Sequence, residues 1–351
     1  MRFVILITLA CFYTHSAGNP LALSKQKIGE SPSGFQLIHV GPGKPGSAIV
    51  TEQQILNRIT GSLEKLRTLE IKGNNKSPNH YTLVLLKKPT YSNFNFSTRF
   101  KIIEGDGIRA AGIFFRMQDN LKDYYLLAVK PVTKEAFWTV YKDNLAIRGF
   151  RYDEENFSPP KDGWQTISLL CKGNKISWTL NDREDFLAYN TETVPDYRAG
   201  LIGFWVRSDS RVLFVNSEVL TLKEHRQKQL SMFLRKISLD HRRILSLQIA
   251  TRDNKNKMPI VFASLNPKEI GQEAHDIVSK VLEKKQTYYG EKKDVFTITA
   301  PLYDRNATTI AVIRMRVKTI PKSTKPQDLI YGKKIIKLIE QQVPDRESLF
   351  N

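Results

Sequence analysis

The sequence predicts an all-β sandwich of two face-to-face sheets, followed by a smaller α+β domain. Three observations carry this. Residues 31–220 hold about ten short runs of alternating apolar residues, broken by Gly, Pro and Asn turns, with no long helix between them. After residue 220 the pattern changes to a mixture of helical and two-residue periods. The charge also shifts: residues 1–220 carry a net +7 and residues 221–351 a net +12. Hydrophobic residues make up 41% and charged residues 25% of the 351, a globular composition that excludes fibrous or disordered classes. Two cysteines exclude a disulfide scaffold. A formal charge of +19 favours anionic surroundings without naming a partner.

Met1-Arg2 is a short basic start, Phe3 to Tyr13 is apolar, and His15-Ser16-Ala17-Gly18 offers small residues for cleavage. About 11 apolar residues are too few to cross ~30 Å of hydrocarbon. Residues 1–18 therefore read as a signal peptide, which implies a secreted, periplasmic or extracellular protein. No later run reaches 18 apolar residues, so no transmembrane span is expected in the mature chain. If Cys11 leaves with the signal, Cys171 is alone, and its place in an alternating strand makes it a core thiol. Asn75, Asn95, Asn156 and Asn306 head Asn-x-Ser/Thr tripeptides, which are glycan acceptors in a eukaryotic secretory route.

The sandwich opens at Ser31 to Phe35, and Gly41 to Gly46 forms a loop. Residues 51–66 are ambiguous. Thr51 with Gln54 suits a capping box, and Ile55, Ile59 and Leu63 recur every four residues, but Gly61 weakens a helix. Strands follow at 82–86, 95–102, 110–117, 124–129, 137–141 and 164–171. A Gly173-Asn174 turn leads to 176–180, and 201–206 and 211–215 finish the series. Trp164, Ile167, Leu169 and Cys171 share one face before that turn; Ile176, Trp178 and Leu180 share one after it, a core pattern. Alternation puts Arg116 with Gly112 and Phe114, Tyr124 with Lys130, and Trp205 with Arg207 on the opposite faces. An exposed aromatic ring beside charged donors suits a shallow sugar groove; the alternative is Trp205 in the core with solvated arginines.

These runs carry a resemblance. Phe35, Tyr91 to Phe94, Ser97 to Lys101, Gly112 to Arg116, Asp119, Asp123 to Tyr125, Trp164 and Gly173-Asn174 resemble the concanavalin A-like, laminin-G-like jelly-roll sandwich. Within it they are similar to the branch containing the 3-keto-disaccharide hydrolase-type domain of secreted bacterial proteins. Gly203-Phe204-Trp205 with Ser208-Asp209-Ser210 is similar to that branch's closing strand. The resemblance spans about residues 31–220 and implies association with a glycan or cell-surface polysaccharide. Some related sandwiches bind Ca²⁺, but no Asp-rich calcium loop occurs, so no cofactor or metal ligand set is assigned.

Catalysis has no positive signature. The Glu-x-Asp-x-x-Glu strand of the fold's retaining glucanases is missing, and Asp153-Glu154-Glu155 and Glu184-Asp185 read as loop charge. The histidines, His15, His39, His80, His225, His241 and His275, show neither metal-ligand spacing nor a Gly-x-Ser-x-Gly neighbour.

In the second domain, expected at 225–345, a helix from about Leu222 to Ile237 precedes a strand through Leu245, Leu247 and Ile249 and its return at 260–263. Asn266-Pro267-Lys268-Glu269 reads as a helix start, with Ile270, Ala274, Ile277, Val278 and Val281 as the apolar stripe. A hairpin at 295–300 and 309–317 and a helix at 329–341 follow. Ile270-Gly271, Tyr289-Gly290, Asp294 and Pro301 to Asn306 are similar to a Cache/PAS-like sensor fold, which implies a small-molecule pocket between sheet and helices. Arg314 and Arg316 share a strand face and, with Arg252, Tyr288 and Tyr289, suit a small organic anion. Lys255, Lys257, His241-Arg242-Arg243 and Lys333-Lys334 form a candidate basic patch for an anionic surface; no nucleic-acid motif accompanies them.

The sequence thus favours a secreted, non-catalytic binding protein, with a glycan on the sandwich and an anion on the basic domain. The alternatives are a sugar-modifying hydrolase or lyase, and a structural protein of adhesion or assembly.

Overall fold

The structure, a computed structural model, describes residues 19–350 except 58–60, 75, 78, 107, 153–159, 182–188, 191–195, 253–257 and 321–322. The expected signal peptide, both acidic loop stretches, Asn75, Asn156, Lys255 and Lys257 lie outside the described residues. The chain divides into two units, 1–221 and 222–351.

The strands of the first unit, numbered in chain order, are β1 (Phe35–Val40), β2 (Ser47–Leu56), β3 (Leu63–Lys72), β4 (Tyr81–Leu86), β5 (Phe94–Glu104), β6 (Ala111–Met117) and β7 (Tyr124–Lys130). They continue as β8 (Glu135–Lys142), β9 (Leu145–Tyr152), β10 (Gln165–Lys172), β11 (Lys175–Leu180), β12 (Tyr189–Asn190), β13 (Leu201–Arg207) and β14 (Arg211–Thr221). Among the described residues they form two seven-stranded antiparallel sheets, β1-β4-β13-β6-β7-β8-β9 and β12-β11-β10-β5-β14-β3-β2. The described residues of the ambiguous 51–66 stretch belong mainly to β2 and β3, which pair antiparallel from Leu56 and Leu63 outward. Thr51 caps no helix; its hydroxyl meets that of Thr68 at 2.7 Å, directly across the ladder. Alternation holds strongly at the inter-sheet core: Phe94, Phe96, Phe100, Leu169, Trp178 and Phe214 of one sheet pack against Val84, Phe115, Tyr125, Leu127 and Phe204 of the other. Cys171 is a free, buried thiol of this core, pushed up to about 12 by desolvation. Asn95 is also buried, its amide donating to Ser168 Oγ (3.1 Å) and the Leu169 carbonyl (3.0 Å), so it is no accessible glycan acceptor.

The second unit contains α1 (Leu222–Asp240), β15 (Ile244–Thr251), β16 (Ile260–Ser264), α2 (Ile277–Lys284), β17 (Tyr288–Lys292), β18 (Val295–Tyr303), β19 (Thr309–Lys318), α3 (Lys325–Gln342) and α4 (Arg346–Phe350). Its five-stranded antiparallel sheet has the order β16-β15-β19-β18-β17. Leu230, Leu234 and Ile237 of α1, and Ile335 and Ile339 of α3, cover the face carrying Leu247, Ile249, Ile313 and Met315. Val278 and Val281 of α2 pack on Ala250 and Val312 of the other face.

The helix expected from Asn266 is corrected. Only Pro267–Glu269 turns, as a 3-10 helix capped by the Asn266 side chain, and the α-helix starts at Ile277. Gly271, at φ +84°, leaves the helical region and donates its N–H to the Val261 carbonyl at 2.8 Å, so 270–274 runs along β16. Glu269 does not reach back to the cap. Its carboxylate accepts from Ser264 Oγ and Gln248 Nε2, both at 2.6 Å.

Candidate functional site

The first sheet's outer face is concave and lined with rings. Trp205, Gly112, Ala128 and Phe137 lie in one register row across β13, β6, β7 and β8. The two small residues in the middle leave space into which the flanking large rings lean, and Trp205 meets Phe137 edge-on at 6.3 Å. Tyr124 stacks on its cross-strand partner Tyr141 at 4.7 Å and 8°. Tyr81 touches Trp205 at 5.1 Å and Tyr141 at 6.1 Å, although β4 and β8 are four positions apart in the sheet order. Flat strands lie about 4.8 Å apart, so that contact requires the sheet to curl toward this face.

Curvature corrects the sequence reading of Tyr124 and Trp205. Tyr124 was expected as an exposed groove aromatic, and Trp205 as either that or a core residue; they are 0% and 1% exposed, buried on this face among neighbouring rings, so the core alternative holds for Trp205. Each keeps a polar atom there without a well-formed hydrogen bond, the Tyr124 hydroxyl and the Trp205 indole N–H. Burial raises the Tyr124 phenol well above its ordinary pKa, with the nearby Trp205 indole a weaker opposing influence, and burial does the same to Tyr141. Lys130 and Arg207 lie half-buried on the same face. Lys130 sits 2.7 Å from the Glu135 carboxylate and 5.2 Å from the centre of the Phe137 ring. Arg207 pairs in register with Tyr81 and acts electrostatically on Tyr141. Tyr124, Trp205, Lys130 and Arg207 are thus brought together, and Tyr81, Phe137 and Tyr141 complete the set. Phe137 and Tyr141 were legible as strand residues; alternation shows on which face they lie, not that the face closes on itself.

Arg116 is not in this group. Its backbone is left-handed, at φ +52°, and the β6–β13 register slips beside it between Leu201 and Gly203. A bulge inserts one residue and reverses the facing of the residues beyond it. The guanidinium turns away from the concave face and donates to three backbone carbonyls, Tyr197 (3.0 Å), Ser92 (2.8 Å) and Gly173 (2.6 Å). It is fully buried, a clamp on loops rather than a groove donor.

In the second unit, Ser264, Gln248, Arg314, Thr299 and Tyr288 form one in-register row across all five strands. Arg316 lies on the same face two residues on, opposite Ser246 and Thr297, and is exposed. Arg314 is half-buried, and its Nε is buried without a partner. Desolvation, then the neighbouring Arg316, lowers its pKa, while Glu269 opposes them. Tyr288 is half-buried against the α2 cluster. Tyr289 and Arg252 stand apart. Tyr289 faces the other side, 6.1 Å from the Phe296 ring and 5.9 Å below Lys325 Nζ. Arg252 is exposed and paired with Glu283 of α2 at 3.1 Å. A separate open cavity of about 630 Å³ is bounded by Tyr303, Arg305, Lys337 and Glu340, and none of the sequence-predicted residues lines it.

Among the described residues, no group of three or more His, Cys, Asp or Glu side chains gathers as a metal site, and no helix is long and apolar enough to cross a membrane.

Residues 41–219 match the family model of the 3-keto-α-glucoside-1,2-lyase-like domain, and the chain belongs to that family. No curated protein matches the chain. Among solved structures, it is similar to the carbohydrate-binding module CBM66 from Bacillus subtilis, at 16% identity over 50% of this chain and 95% of that one, with a TM-score of 0.36. A glycoside hydrolase family 16 endo-glucanase from Bacteroides ovatus is similar at 10% identity over 53% and 94%, with a TM-score of 0.37. A type II free methionine-R-sulfoxide reductase from Thermoplasma acidophilum is similar at 12% identity over 34% and 93%, with a TM-score of 0.27.

Proposed function

We propose that this is a secreted carbohydrate-binding protein whose concave face takes a sugar, while its basic second unit takes a small organic anion. The single observation carrying the sugar reading is the aromatic floor: the Tyr124 hydroxyl and the Trp205 indole N–H lie buried beside each other, only weakly bonded to one another and with no other partner, and Lys130 and Arg207 stand at their side. A sugar offers what this floor lacks, a hydroxyl acceptor for the Tyr124 O–H and C–H surface for the rings. Half-buried Tyr81 is the side chain that must swing aside to admit it. Membership of a family named for a keto-glucoside supports the same ligand class.

The test is a glycan panel that includes glucosides and 3-keto-glucosides. Binding should weaken at least tenfold in Lys130→Ala and in Arg207→Ala, both chosen because neither is part of the buried floor. Absence of binding across the panel at low and high salt would refute this reading.

The family name favours a second reading, a lyase. In a 3-keto-glucoside the ketone acidifies the C2 proton. A base removes it, the electron pair forms C1=C2, and the aglycone leaves C1 with a proton. Glu135, held by Lys130, is a carboxylate on the candidate face. Release of aglycone from a 3-keto-α-glucoside, lost in Glu135→Gln, distinguishes catalysis from binding.

For the second unit, the Arg314 row suits a carboxylate, because a buried guanidinium edge without a partner gains most from a charge-assisted hydrogen bond. Carboxylate binding that survives Arg314→Ala would remove this part of the proposal. The Cache/PAS-like reading rests on the same sheet and its helices.

A further inference from the structure

A pair of histidines at one end of the sandwich is unused by either reading. His39 of β1 lies directly across the ladder from Thr82 of β4, and His80 immediately precedes that strand. Their rings are 4.5 Å apart, centre to centre, and tilted by 60°. His80 is fully buried. Its Nδ1 lies 3.3 Å from the Pro42 carbonyl, which can only accept, so Nδ1 carries the proton and Nε2 presents a bare lone pair. That Nε2 has no partner; neither has either ring nitrogen of His39, nor the Thr82 hydroxyl, and all four atoms are buried. Four such atoms together are unusual, because buried polar groups are nearly always satisfied.

We propose that His39 and His80 form a two-imidazole site for a divalent transition metal of the copper–nickel–zinc group, with Thr82 Oγ1 as the neighbouring oxygen donor. A backbone carbonyl fixing the tautomer of His80 is the usual outer support of a metal-binding imidazole. The spacing also fits. With metal–nitrogen bonds of ~2.0–2.1 Å, an ion lies about 3.2 Å from each ring centre. Centres 4.5 Å apart then subtend about 90°, the angle between adjacent ligands of a tetragonal site. Close approach of the chain at Gly46, where a Cβ would lie 2.4 Å from Thr82 Oγ1, shields the oxygen donor from bulk water. Two imidazoles and one hydroxyl leave the remaining positions to water.

The test uses the full mature chain, stripped with a chelator and titrated with Cu²⁺ and separately with Zn²⁺ at neutral pH. One equivalent should bind, raise Tm, and show two imidazole nitrogens in the Cu²⁺ electron paramagnetic resonance spectrum. His39→Gln and His80→Gln should each weaken binding at least tenfold, while His241→Gln, whose ring packs on Tyr331 in the second unit, should leave it unchanged. If either glutamine variant fails to fold, X-ray absorption of the metal-loaded wild-type chain decides by the count of imidazole nitrogens. No stoichiometric binding, binding indifferent to both variants, or no imidazole in the coordination shell would overturn the site and leave buried water as the partner of these atoms.

Discussion

Arg116 illustrates how a single residue can be correctly singled out and wrongly assigned. Its charge is buried, yet three carbonyls from three separate segments accept from it, which is what makes a buried cation tolerable. Truncation leaves those carbonyls without donors at an end of the core. Arg116→Ala should therefore cost about 3 kcal/mol of unfolding free energy. Arg116→Lys should recover less than half of that, because an ammonium cannot reproduce the fork. Urea midpoints measure both, and a loss under about 1 kcal/mol would show that the clamp is dispensable. Tyr124 and Tyr141 make a second residue-scale case. Burial raises both phenols in the folded protein, whereas in the unfolded chain they titrate near pH ~10. Above that pH the unfolded state has lost protons that the folded state keeps. Stability is thus full below pH ~10 and falls as pH rises past it, by up to about 2.7 kcal/mol per pH unit for two such groups. Tyr124→Phe should roughly halve that slope in urea melts between pH 9 and 11; an unchanged slope would mean that the loss originates elsewhere.

Between elements, spacing decides what the sheets tolerate. Gly112 sits where β6 meets β7, and a Cβ there would lie 2.0 Å from the Leu127 carbonyl oxygen and 2.6 Å from the Ala128 Cα. Both are backbone atoms in a central strand pair and neither can step aside. Strand propensity alone favours alanine over glycine, but the clash reverses the sign. Gly112→Ala should destabilise by about 3 kcal/mol, whereas Gly290→Ala in edge strand β17, with nothing within 4 Å of its Cβ, should be neutral or slightly stabilising. Thermal melts of the two variants give the comparison. The same scale explains what was legible in the sequence. Alternation identified β10 and β11 because both are regular, with one face buried against the opposite sheet. It misassigned Arg116 because a bulge adds one residue that no two-residue period can register. Residues 51–66 stayed ambiguous because Ile55, Ile59 and Leu63 suit a helical spacing, and only the pairing of β2 with β3 resolves it. Strand β9 escaped notice since Leu145, Ile147 and Phe150 are exposed and leave no one-sided pattern. The helix expected at Asn266 failed at Gly271, whose left-handed φ answers to the neighbouring β16 rather than to local propensity. The candidate hollow was half visible: its residues could be placed on one face, but the curl that buries Tyr124 and Trp205 belongs to seven strands acting together.

For the molecule as a whole, two separate hydrophobic cores imply two cooperative units. The sandwich core and the core beneath α1 and α3 share no residue, and the chain passes between units once, at 221–222. Each core is large enough to unfold as a unit of its own, so one two-state curve should not describe the protein. The sequence supplies an internal reporter, because all four tryptophans, Trp138, Trp164, Trp178 and Trp205, lie in the first unit. Tryptophan fluorescence therefore follows the sandwich alone, while far-ultraviolet circular dichroism near 222 nm is weighted toward the second unit, which holds all the α-helices among the described residues. Under urea the two signals should give different midpoints. A sugar bound in the aromatic hollow should shift only the fluorescence midpoint, by RT ln(1 + [L]/Kd), and a carboxylate at the Arg314 row should shift only the dichroism midpoint. Coincident midpoints, moved together by either ligand, would mean that the two cores unfold as one, and the division of labour between sandwich and basic unit would lose its physical basis.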